Sequence, residues 1–107
     1  MSDDLDLGDN YAYCQDAQCL TLNRNVIFSP IRVTEYNYDE SYIILQWHWY
    51  DYYNRDTSYI IVRKLDYNAD SLELSYNLET FQTKEEFDSV LAKRGISLQL
   101  KPIIPYE

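Results

Sequence analysis

A chain of 107 residues has the length of one domain, enough to bury a single core without disulfide or metal staples. Its 18 acids outweigh 9 bases for a net charge of −9, which argues against direct binding of nucleic acid, where Lys and Arg must displace counterions from phosphates. The unusual component is tyrosine, at 12 residues against 3 Phe and 1 Met; a ring with a hydroxyl favours half-buried positions and contact surfaces.

Residues 1–10 carry Asp3, Asp4, Asp6 and Asp9 without a base and read as an acidic flexible tail, leaving residues 11–107 as a single α+β domain. The start has neither a basic segment nor an apolar run, and no stretch approaches the ~20 apolar residues of a membrane span. The expected location is therefore cytoplasmic, with no membrane partner and with Cys14 and Cys19 reduced. Their spacing also allows a small hairpin disulfide under oxidising conditions, because residues 11–14 and 19–22 suggest two short strands around a turn.

Residues 25–38 read as one long strand. Ile27, Ser29, Ile31 and Val33 fall on one face, and Arg32, Thr34, Tyr36 and Tyr38 on the other. Pro30 lacks a ladder donor and implies an edge or a bulge. After a turn at Asp39, Glu40 and Ser41, residues 42–53 alternate strongly. Ile43, Leu45, Trp47 and Trp49 are assigned to the core; Tyr42, Ile44, Gln46, His48, Tyr50 and Tyr52 are assigned to the opposite, outward side.

Residues 54–57 have turn chemistry, residues 58–66 return as a strand, and residues 71–78 alternate as a half-buried antiparallel strand. Thr83 and Glu86 form a capping box ahead of a helix over about 84–94. Phe87, Val90 and Leu91 supply its apolar stripe, and Gly95 with Ile96 supplies a Schellman close. Residues 96–101 form a final strand, and the tail containing Pro102 and Pro105 is extended. The expected architecture is an antiparallel meander of about five strands, one helix and a last strand. The helix stripe covers part of one sheet face and leaves a Tyr-rich face open.

Few motifs point to chemistry. One His and two Cys do not make a zinc site, the carboxylates do not follow a calcium-loop pattern, and two glycines cannot build a phosphate loop. No cofactor, metal or catalytic residue is expected. An aromatic sheet face also occurs in single-strand RNA binders, but those faces are framed by bases. Here Tyr36, Tyr38, Tyr42, His48, Tyr50 and Tyr52 are framed by Asp39, Glu40, Asp51 and Asp56.

These residues form the expected partner-binding set. They suggest a non-enzymatic module, an inhibitor or accessory factor that docks on a basic, nucleic-acid-associated protein in the manner of phage antidefence, nucleic-acid-mimic or immunity proteins. Carboxylates would steer the encounter and rings would anchor it. Two alternatives are a homo-oligomeric subunit, such as a homodimer, that self-associates through the Tyr face, and a small-ligand or enzymatic domain centred on His48.

Overall fold

A computed structural model describes residues 5–15, 18–29, 33–50, 55–64 and 78–103, with Trp49, Tyr50, Arg55 and Asp56 described by backbone alone. The fold is α+β and almost entirely antiparallel. The first sheet contains β1 (Leu5–Asp6), β2 (Tyr11–Cys14), β3 (Cys19–Leu22) and β4 (Asn25–Phe28), in that spatial order. The second contains β5 (Val33–Tyr38), β6 (Tyr42–Tyr50), β7 (Arg55–Arg63), β8 (Leu78–Phe81) and β9 (Lys101–Pro102), ordered β8-β7-β6-β5-β9. Among the described residues the helix is α1 (Lys84–Lys93), which lies between β8 and β9 in sequence.

Turn chemistry explains the first sheet. Asn23 and Arg24 both have positive φ, 51° and 69°, the requirement of a two-residue hairpin whose twist matches its strands. Gly8, Asp9 and Asn10 likewise have positive φ between β1 and β2. In the second sheet, Asp39 accepts from the backbone N–H groups of Ser41 and Tyr42, both at 2.7 Å, and so closes the β5–β6 turn.

The two sheets pack face to face. Leu7, Tyr11, Tyr13, Leu20 and Leu22 from the first meet Ile43, Leu45, Ile60 and Val62 from the second in one buried cluster. The other face of the second sheet buries Ile44 and Ile61 against Phe87 and Leu91 of α1 and against Ile96. Strands β6 and β7 are therefore the middle layer of three. Ile43, Ile44, Leu45, Ile60, Ile61 and Val62 are all at most 2% exposed, as expected for strands covered on both faces.

The helix ends as its local residues dictate. The Thr83 hydroxyl accepts from the Glu86 N–H at 3.2 Å. At the other end Gly95 has φ +67°, its N–H donates to the Ala92 carbonyl, and the Ile96 N–H donates to the Leu91 carbonyl at 2.9 Å. That is the expected Schellman pair of bonds. Arg94 then binds both carboxylate oxygens of Glu79 at 2.7 Å, tying the helix end to β8.

Several expectations are corrected. Residues 5–10 are not a tail: β1 pairs with β2, and Leu7 is fully buried between the sheets because an aliphatic side chain gains more there than a frayed terminus does. Residues 25–38 are not one strand, since β4 and β5 belong to different sheets. Arg55, Asp56 and Thr57 are not a turn but the start of β7, paired with Tyr50, Trp49 and His48. The final strand is the short β9, and residues 96–100 are irregular. The strand expected over 71–78 lies outside the described residues except for Leu78.

Candidate functional site: a tyrosine cleft at the sheet edge

The predicted partner-binding residues do not share a face. Register and a bulge explain why. Along β5, Val33 pairs with Trp47 but Glu35 pairs with Gln46, so Thr34 is an extra residue in the strand. The alternation then resets. Tyr36 and Tyr38 pair with Leu45 and Ile43, and Tyr36 packs on the cluster between the sheets. Tyr42 and His48 belong to the opposite face, which the helix partly covers; Tyr42 packs against the helix-side cluster. The face expected to be open is thus covered at its Tyr42 end.

His48 is held by its two neighbouring strands. Its Nε2 lies 3.2 Å from the Thr34 hydroxyl on β5, and its Nδ1 lies 2.9 Å from the Thr57 hydroxyl on β7. Gln46 donates to the same Thr34 oxygen at 3.3 Å. Hydroxyls donate or accept by rotation and so suit either imidazole tautomer. Tyr50 and Asp56 are described by backbone alone, on β6 and β7, and Tyr52 and Asp51 lie outside the described residues.

Of the remaining predicted residues, Tyr36 and Tyr38 do converge, at the edge of the second sheet. Tyr36, Asn37 and Tyr38 of β5, Lys101 and Pro102 of β9, Ile103, and Leu5 of β1 line a cleft of about 550 Å³. The short β9 runs antiparallel to β5, with Tyr36 opposite Lys101, and Asn37 donates from its side chain to the Gln99 carbonyl at 2.8 Å. The cleft lies where an edge of the first sheet meets an edge of the second.

Tyr38 is the half-open ring of this cleft, 39% exposed. Asp39 and Glu40, both exposed, follow it directly in sequence. On its other side lies the β1–β2 turn: a Cβ added at Gly8 would come within 3.6 Å of the Tyr38 ring. Asp9, the next residue, is 61% exposed and bonded to Lys64 at 3.2 Å. The Lys64 ammonium sits 5.1 Å from the centre of the Tyr38 ring and 5.9 Å from that of Tyr11. Tyr38 is therefore backed by the Lys64 ammonium, which carries Asp9 on its other side, and is followed in sequence by two exposed acids.

Sequence reasoning missed Leu5, Asp9 and Lys64 as members of this site. Leu5 and Asp9 fell in the supposed tail, and Lys64 carries no local signal, because its partners are more than fifty residues away. Ile103, which follows β9, also lines the cleft.

Among the described residues, no group of three or more His, Cys, Asp or Glu is placed to hold a metal ion, and no helix is long and apolar enough to cross a membrane. No protein-family model, curated protein or solved structure matches this chain.

Proposed function

We propose that the protein is a non-enzymatic acidic binding module that docks on a basic, nucleic-acid-associated protein as an inhibitor or accessory factor, with Tyr38 as its anchor. The observation that carries this reading is the setting of Tyr38: a half-exposed ring beside an apolar cleft, with Asp9 reached through Lys64 and the exposed Asp39 and Glu40 next in sequence. Tyrosine is enriched among interface hot spots, and interface rims are polar and solvent-accessible. The net charge of −9 steers a basic partner toward it and repels nucleic acid. The partner-binding set narrows accordingly to Tyr36, Tyr38, Asp39 and Glu40, joined by Leu5, Asp9 and Ile103.

Affinity capture tests this. Immobilised wild-type chain, presented with an extract of the cells that make it, retains a basic protein at low salt and releases it at high salt. The Tyr38→Ala and Glu40→Lys chains lose that protein while remaining folded by circular dichroism. A wild-type chain that retains no basic protein, or a Tyr38→Ala chain that retains it equally, refutes the reading.

A further inference from the structure

Two cysteines that do not line the tyrosine cleft face each other across a hairpin. Cys14, the last residue of β2, and Cys19, the first of β3, are direct Cα partners in the antiparallel register. Neither is in a disulfide. Their surroundings differ: Cys14 is half-buried, while Cys19 is only 7% exposed. Tyr13 and Leu20, the preceding pair, are in the core between the sheets, so both thiols belong to the outer face of the first sheet. On that face Cys14 lines an open cleft with Asp6, Thr21 and Arg24.

We propose that Cys14 and Cys19 form a thiol–disulfide exchange site for low-molecular-weight disulfides, with Cys14 the attacking thiol and Cys19 the resolving one. Access sets the order, since Cys14 is half-buried and lines the cleft, whereas Cys19 is only 7% exposed and does not line it. Arg24 and Asp6 at the cleft complement the carboxylate and ammonium groups of a peptide disulfide such as oxidised glutathione. The Cys14 thiolate attacks one sulfur of glutathione disulfide, forming a mixed disulfide and releasing one glutathione thiolate. The Cys19 thiolate then attacks the Cys14 sulfur, closing the intramolecular bond and releasing the second. The two thiol protons pass to the two glutathiones, and the protein loses the two electrons that the oxidant gains.

The ladder indicates a reversible bond. The Asn23 N–H donates to the Asn10 carbonyl at 3.0 Å, which makes Asn10 and Asn23 a hydrogen-bonded pair. Alternation along the antiparallel ladder makes Cys14 and Cys19 one as well. Cα atoms in such pairs lie about 5.5 Å apart, inside the disulfide range. Their Cβ atoms, however, lie near the wide end of about 4.5–5.5 Å, whereas a relaxed disulfide wants about 3.5–4.5 Å. Closure must draw the hairpin end together, and a strained bond of this kind is readily reduced.

The test exposes reduced protein to glutathione disulfide, quenches with acid and reads intact mass and thiol content. The wild-type chain loses both thiols together with a mass loss of two hydrogens, and reduced glutathione restores them. The Cys19→Ser chain, or Cys19→Ala if serine is poorly tolerated in the buried position, stops at a stable glutathione adduct. The Cys14→Ser chain stays unmodified over the same period. The proposal is overturned if the wild-type chain keeps both thiols, if it stops at the mixed disulfide or links two chains, or if Cys14→Ser reacts as fast as Cys19→Ser.

Discussion

The ammonium of Lys64 lies 2.5 Å from the backbone carbonyl of Leu7, in a side chain only 4% exposed. Lys64 follows β7 of the second sheet, and Leu7 follows β1 of the first. This one bond clasps the two sheets at the edge where Tyr38 sits. Lys64 has its charge partner Asp9 at the solvent boundary and its stem in the interior, the usual compromise of a long cationic side chain. Gly8 is part of the same clasp: it has φ +78°, and a Cβ there would lie 3.0 Å from the Lys64 nitrogen.

Replacing Lys64 with Met keeps the stem but leaves the Leu7 carbonyl without this donor. Stability falls by about 1–3 kcal/mol, the usual penalty of an orphaned buried acceptor. Urea denaturation measures it, and a change within about 0.5 kcal/mol, the range of ordinary surface substitutions, refutes the role of the clasp.

Phe87 is the centre of the helix-side core. It is fully buried, its ring stacks on Tyr59 at 5.1 Å, and it meets Phe81 edge-on at 6.1 Å. Phe87→Ala costs about 3–5 kcal/mol through lost burial and the cavity left behind. Thr83→Ala removes only the N-cap bond and costs about 1 kcal/mol. Thermal or urea unfolding ranks the two, and a Thr83 variant as damaging as the Phe87 variant contradicts the core assignment.

Burial raises the Tyr13 pKa above its ordinary value, an effect partly offset by a backbone hydrogen bond with Val33 and reinforced by Cys19 and Cys14. The native state therefore keeps this proton after the unfolded chain has lost it. The contribution to stability is intact below about pH 10, the unfolded value, and is lost as pH rises toward the native one. Tyr13→Phe cannot ionise and gives up the Val33 bond, at a cost of about 0.5–1.5 kcal/mol near neutrality. The gap between wild type and variant narrows above pH 10. A gap constant from pH 8 to 11 in urea midpoints would exclude this.

Local signals were read correctly. The Thr83 cap, the Gly95 close and the 11–22 hairpin each depend on a few adjacent residues, and each stands in the structure. The layering was not read, although one signal for it was present. Ile43-Ile44-Leu45 and Ile60-Ile61-Val62 are unbroken apolar runs, and such runs belong to strands covered on both faces. Reading β6 as a two-faced strand with one open side left free the face that the helix in fact partly covers, while the first sheet covers the other. That the predicted binding residues do not share one face has a subtler reason. The bulge at Thr34 moved Tyr36 and Tyr38 to the side opposite Tyr42 and His48, and a one-residue insertion in a ladder leaves no trace in side-chain alternation. Lys64 was invisible because only the tertiary fold brings it to Leu7.

The middle position of β6 and β7 also bears on how the chain can be divided. A peptide ending near residue 28 would carry Leu7, Tyr11, Tyr13, Leu20 and Leu22 with nothing to cover them, and the remainder would expose Ile43, Leu45, Ile60 and Val62. Each piece is the missing wall of the other. The segment between β4 and β5 is thus a natural cut point for fragment complementation: the pieces would be poorly ordered apart and assemble on mixing, giving a reporter whose signal depends on the two sheets finding each other.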